Sequence, residues 1–248
     1  MADEAESERQ APRVRLPGLR CHWLNQCFVH WPYPPDDVQG LLPEGLTVDT
    51  YEGAAWVSLT PFVMADVRPH PLPVLPGTPD FPETNLRTYV RGPDGRDGLW
   101  FLSLDVTNPL MLGALAVGAP YRLARLRVEK EDERLVYTGS RYGSGVSYRL
   151  VIRPGERLTP PSEQADWLTS RWRAYTRRLG VVWEVPVEHE PWRPAAAEIE
   201  SLEENLREAA GLPPCGEPPV AHFSPGVRDV RIGIARPVGT GGGEARDA

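Results

Sequence analysis

Residues 81–106 limit the fold of this chain more than any other stretch. They read Phe-Pro-Glu-Thr-Asn-Leu-Arg-Thr-Tyr-Val-Arg, then a turn rich in Gly, Pro and Asp, then Leu-Trp-Phe-Leu-Ser-Leu-Asp-Val. Both arms alternate with period two around Gly92, Pro93, Asp94, Gly95 and Gly98, which predicts a β-hairpin. On the first arm Glu83, Asn85, Arg87, Tyr89 and Arg91 share one face, and Thr84, Leu86, Thr88 and Val90 the other. On the second arm Trp100, Leu102, Leu104 and Val106 oppose Phe101, Ser103 and Asp105. Two arrangements satisfy this sorting. A surface hairpin turns the polar face to water, whereas a closed β-structure turns it inward, where Glu, Asn, Arg and Tyr grip a small ligand.

The rest of the chain is rich in strands. Strands are expected over 21–31, 46–51, 54–64, 121–130, 134–142, 146–153, 181–187, 221–227 and 230–235, with turns at Glu52-Gly53, Glu131-Asp132 and Gly143-Ser144-Gly145. Helices are expected over 36–42, over 110–117 behind an Asn108-Pro109 cap, over 162–178 behind Ser162, and over 195–210. The 110–117 helix is apolar throughout and so is expected to be buried. In the 162–178 helix, Trp167, Leu168, Trp172 and Tyr175 fall at core-packing spacing. No βαβ rhythm and no fixed-period repeat occurs. The fold class is therefore α+β and mainly antiparallel β, a barrel or sandwich with two or three flanking helices. Residues 1–17 and 237–248 are expected to be flexible tails around one domain at 18–236, and the proline-rich 68–80 segment a connector rather than a lid.

Composition narrows the partners. The net charge of −7 opposes nucleic-acid binding. No apolar run approaches the ~18 residues of a membrane span, and the acidic N-terminus is no secretory signal, so neither membrane nor export is expected and the compartment reads as the cytoplasm. Cys21, Cys27 and Cys215 are sparse and odd in number, which suits reduced, non-catalytic thiols. The five histidines show no metal-ligand spacing, and His189 beside Glu190 reads as a hydrogen-bonded structural residue, so no metal or cofactor is expected. Phosphate loops, dinucleotide fingerprints and nucleophile elbows are absent from the sequence.

Several phrases, taken in order, resemble one bacterial family. They are His30-Trp31-Pro32; Leu42-Pro43-Glu44-Gly45-Leu46 with Asp49; Gly53-Ala54-Ala55-Trp56-Val57; residues 81–90; Trp100-Phe101-Leu102-Ser103-Leu104-Asp105; His189-Glu190-Pro191-Trp192; and His222-Phe223-Ser224-Pro225-Gly226-Val227. Together they resemble the YqjF-like family, domain of unknown function 2071, over about residues 21–236. The resemblance implies the acetoacetate decarboxylase-like fold, a cone-shaped antiparallel barrel around a small-molecule pocket, and so favours the inward-facing arrangement of the Glu83 strand. It also implies a position for the decarboxylases' chemistry. Their Pro-Tyr-x-Glu carboxylate compares with Phe81-Pro82-Glu83. Their Gly-Phe-Pro-Lys-Lys-x-Ala phrase compares with Gly118-Ala119-Pro120-Tyr121-Arg122-Leu123-Ala124.

Here the sequence departs from the decarboxylases. Tyr121 stands where the imine-forming lysine would be, and a phenol forms no imine. Arg122 keeps a cation but does not deprotonate. The one lysine, Lys130, lies in the acidic stretch Glu129-Lys130-Glu131-Asp132-Glu133. The expectation is a pocket with Glu83 and Tyr121 as acid–base groups and Asn85, Arg87, Tyr89 and Arg122 as ligand-binding groups, taking a small organic anion without decarboxylating it. Imine-independent acid–base catalysis on a small oxo-acid is the alternative. Simple pairing of Glu83 and Arg87 with charged neighbours is the non-functional one. A homo-oligomer is compatible with the sequence, which does not set the state of assembly.

Overall fold

The protein is described by a computed structural model over residues 12–69 and 79–239. Most of the proline-rich 68–80 segment and most of both expected tails lie outside the described residues. The strands are β1 (Pro17–Tyr33), β2 (Thr47–Val48), β3 (Thr50–Tyr51), β4 (Ala54–Pro69), β5 (Phe81–Arg91), β6 (Asp97–Val106) and β7 (Tyr121–Glu131). They continue as β8 (Arg134–Arg141), β9 (Ser147–Arg157), β10 (Arg173–Arg178), β11 (Val181–Glu188), β12 (Ala195–Glu204), β13 (Val220–Gly233) and β14 (Arg236–Pro237). Three short helices accompany them: α1 (Pro35–Gln39), α2 (Glu163–Thr169) and α3 (Leu206–Ala209). No helix among the described residues is long and apolar enough to cross a membrane.

All fourteen strands belong to one mainly antiparallel sheet, and two strands decide its shape. One edge of β6 pairs with β5 along its length. The other edge pairs with β10 at Leu99 and Trp100 and with β7 from Leu104 to Val106. β13 forks in the same way, with β1 on one edge and β12 and then β11 on the other. The strands β13, β1, β4, β5 and β6 are therefore shared by two closed circuits of pairings, one completed by β10 and β11, the other by β7, β8, β9 and β12.

This forking explains why β5 is buried on both faces. Leu86 packs into the largest apolar core with Leu59, Val57, Leu150 and Ile152, while Glu83, Asn85 and Arg87 turn to the other side, and every residue from Glu83 to Val90 is buried. A water-facing hairpin does not describe this strand. The β5–β6 register also shifts between Leu86 and Arg87, so that Glu83 and Asn85 oppose Val106 and Leu104 but Arg87 and Tyr89 oppose Phe101 and Leu99. The bulge breaks the strict alternation expected for β6 and moves Phe101 and Leu99 onto the Arg87 side.

Three helix expectations are corrected. The apolar 110–117 segment is a 3₁₀ helix (Pro109–Val117) with none of its side chains buried, although Asn108 caps it as expected by accepting from Leu110 N–H at 3.0 Å. Its lack of a polar face reflects a position over a cavity, which Met111, Ala114 and Val117 line. The Ser162 helix starts as expected, Ser162 accepting from Ala165 N–H at 3.1 Å, but ends at Thr169. The chain then runs into β10, which turns back through Leu179 and Gly180, both at positive φ, as a two-residue hairpin requires. Residues 195–204 form strand β12, not a helix. The helix-favouring Ala and Glu residues yield to long-range pairing with the arginine-bearing β9, where Glu200 accepts from Arg153 and pairs with Arg134 at 2.7 Å.

Candidate functional site

The strands of the circuit completed by β10 and β11 line a cavity of about 440 Å³. Because Glu83, Asn85 and Arg87 alternate along β5, all three reach it from one strand. Tyr121 enters at the start of β7, beside Leu104 across the parallel pairing. Most of the remaining wall is apolar. Trp23 and Trp192 stack with centroids 6.1 Å apart, and Phe62 meets Trp23 edge-on at 6.0 Å.

Two polar groupings stand out against this wall. The first is Glu83 with Tyr121, whose hydroxyl donates to Glu83 Oε2 at 3.2 Å. Burial pushes the Glu83 carboxyl up to about 8, the nearby Asp105 charge adds to the rise, and the Tyr121 hydrogen bond only partly opposes it. Burial and the neighbouring Glu83 likewise hold the Tyr121 phenol well above its ordinary value. At neutral pH the pair is thus a protonated acid bonded to a neutral phenol.

The second grouping is Arg87 with Asn85. Arg87 is only 8% exposed, and its Nε and Nη2 have no hydrogen-bond partner, nor has Asn85 Oδ1. Desolvation lowers the Arg87 pKa, the neighbouring Tyr89 hydroxyl partly opposes it, and the face of Phe28 lies 5.5 Å from the guanidinium carbon. Among the described residues neither Glu83 nor Arg87 forms an ion pair, so pairing with charged neighbours does not account for them. The cavity's other arginines differ: Arg173 Nη1 donates to Asp97 Oδ1 at 2.6 Å, and Arg171 pairs with Asp49 at 3.3 Å and Asp97 at 3.4 Å.

Of the six residues expected at the site, the structure brings Glu83, Asn85, Arg87 and Tyr121 together around this cavity. Tyr89 lies behind it, where its hydroxyl donates to the Leu168 carbonyl at 2.6 Å and contacts Ser58 Oγ at 2.8 Å. Arg122 is exposed and outside the cavity, because neighbours on a strand point to opposite faces. Lys130 is also exposed and outside it, at the far end of β7. His189 lines the cavity with its Nδ1–H donating to the Glu190 carbonyl at 2.6 Å, and burial lowers its pKa to about 4. Sequence reasoning missed Arg171 and Arg173, which the extended Ser162 helix concealed. It also missed the aromatic wall, for which Trp23 on a predicted strand was the available signal.

Comparison with known proteins adds a family and a fold. The model of the DUF2071 family, an uncharacterized conserved protein, matches residues 20–228. The uncharacterized protein YqjF of Bacillus subtilis is 34% identical, with 83% of this chain and 87% of that protein covered. Among solved structures, an acetoacetate decarboxylase-like enzyme from Sphingomonas wittichii RW1 superposes with a TM-score of 0.64 at 17% identity, covering 90% of this chain and 93% of that one. The enduracididine biosynthesis enzyme MppR, complexed with the condensation product of pyruvate and imidazole 4-carboxaldehyde, does so with a TM-score of 0.62 at 15% identity, over 94% and 92%.

Proposed function

The chain belongs to the DUF2071 family and shares the fold of acetoacetate decarboxylase-like proteins, and from that premise we propose that it is a β-barrel protein binding a small organic anion in the Arg87 cavity. The observation that carries the proposal is the buried Arg87 guanidinium, which has no carboxylate partner and two nitrogens left unbonded. An unpaired buried charge is costly, and a ligand carboxylate would relieve it through charge-assisted hydrogen bonds. The closed circuits of strand pairing support the barrel description, and the continuous sheet supports a single domain. Free Cys21, Cys27 and Cys215 are consistent with a cytoplasmic setting. MppR, of similar fold, is complexed with the condensation product of pyruvate and imidazole 4-carboxaldehyde, which supports a small-molecule site in this fold.

The test is thermal stabilisation by a panel of organic carboxylates and their uncharged amides. Carboxylates should raise the Tm of wild type and of Arg122→Ala alike, and leave Arg87→Gln unmoved. Equal stabilisation of Arg87→Gln, or of all proteins by the amides, would overturn the reading.

Imine chemistry is not part of the proposal. The cavity lining contains no lysine, and Lys130 is exposed beside acidic residues and lies outside the cavity. Borohydride reduction in the presence of pyruvate or acetoacetate should leave the mass of Lys130-containing peptides unchanged. A stoichiometric adduct at Lys130 would overturn that exclusion.

A second reading, acid–base catalysis on a small oxo-acid, is favoured by one observation. Glu83, titrating at about 8 and bonded to Tyr121, is poised to exchange a proton near neutral pH. Turnover lost in Glu83→Gln while anion binding persists would establish it.

A further inference from the structure

The walls around Arg87 narrow the ligand further than its charge does. A cavity of about 440 Å³ falls in the range of roughly 300–1,000 Å³ that encloses drug-sized ligands. A two- to four-carbon oxo-acid held at Arg87 would leave most of this apolar surface uncovered. The aromatic cluster of Trp23, Phe62 and Trp192 offers flat apolar faces and no unpaired charge. The apolar lining also continues outward, since Val117 and Ile234 both line the cavity and are 40% and 67% exposed.

Charge sets the head group. Arg171 and Arg173 are paired with Asp49 and Asp97, leaving the Arg87 guanidinium as the one lining cation among the described residues without an acidic partner. A dianion such as a phosphate monoester would bring a second negative charge into a largely apolar cavity with no unpaired cation to meet it, whereas a single carboxylate matches Arg87 and fits its planar fork.

We infer that the ligand is a monocarboxylate with an apolar tail of roughly six or more carbons, its head held by Arg87 and its tail laid along the Trp23–Phe62–Trp192 wall toward Val117 and Ile234. This rests on the anion reading above and adds the tail to it.

The experiment is a calorimetric titration of the full chain with straight-chain monocarboxylates from butanoate to octanoate, and with the primary alcohols of the same length. Burial of each methylene should tighten binding about fourfold, so octanoate, four methylenes longer, should bind roughly 250-fold more tightly than butanoate. Each alcohol should bind at least about tenfold more weakly than its acid, Arg87→Gln should reduce acids to the level of alcohols, and Arg122→Ala should change nothing. Val187→Phe, which fills part of the cavity, should shorten the chain length at which affinity stops rising. A flat length profile that still depends on Arg87 would overturn the tail inference and leave the anion reading standing. A steep profile shared by alcohols and by Arg87→Gln would overturn the anion reading and the assigned head group. No binding across the series would overturn both.

Discussion

Replacing Glu83 with Gln should remove a loss of stability that wild type suffers as pH rises from 6.5 to 8. In the unfolded chain this carboxyl ionises near 4.5, whereas the folded protein holds its proton to about 8. Between those values the folded state binds the extra proton, so stability falls as pH increases. His189 acts in the opposite sense over a lower window. Burial drops its pKa from 6.5 to about 4, so the unfolded chain binds the extra proton there and stability rises with pH until about 6.5. Above 6.5 the Glu83 contribution is therefore separated from that of His189. Its size over that window is about 2 kcal/mol, from 1.5 units at about 1.4 kcal/mol each. Urea denaturation of wild type and Glu83→Gln at several pH values measures the difference directly. A stability gap that stays constant from pH 6.5 to 8 would show that Glu83 is ionised in the folded cavity. The same ionisation bears on binding, since a carboxylate formed above pH 8 beside the ligand's own should weaken anion affinity in wild type and not in Glu83→Gln.

Arg87→Met is expected to make the protein more stable and unable to bind. The guanidinium is desolvated, its Nε and Nη2 are unbonded, and only the Tyr89 hydroxyl and the Phe28 ring face it in place of an anion. Methionine fills a similar volume without burying a charge, so the ligand-free protein should gain about 2 kcal/mol, a rise in Tm of roughly 4–8 °C. Stabilisation by carboxylates should disappear in the same variant. The combination separates a binding residue from a structural one. A destabilised Arg87→Met would mean that Arg87 holds the fold together, as a simple charge-pairing account requires.

Part of the candidate cavity's lining was legible because strand alternation is local. The spacing of Glu83, Asn85 and Arg87 alone put them on one face, and the cavity lies on that face. Tyr89 shares the alternation but not the cavity, because its hydroxyl is taken up by Ser58 and the Leu168 carbonyl, partners no local pattern announces. Arg122 followed from an aligned phrase, yet the pleat that aims Tyr121 inward aims its neighbour outward. The register shift opposite Leu86 was not visible for a similar reason: a bulge is set by pairing partners, not by the strand's own residues.

The fold was legible in class and in most of its strands, and misread where long-range pairing outweighed helix propensity. Residues 195–204 carry enough Ala and Glu to read as a helix, but their acidic side chains find arginines on neighbouring strands, as Glu200 does with Arg134 and Arg153. The helix begun at Ser162 was extended through residues that instead turn at Leu179-Gly180, and that error hid Arg171 and Arg173 from the site.

The central claim is that Arg87 awaits a carboxylate inside the cavity. A crystal structure of the protein grown with saturating octanoate tests it most directly. The account predicts the ligand within the cavity, a carboxylate oxygen in hydrogen-bond reach of the Arg87 guanidinium, and Glu83 still bonded to Tyr121. An empty cavity, or octanoate held only on the outer surface, would contradict it.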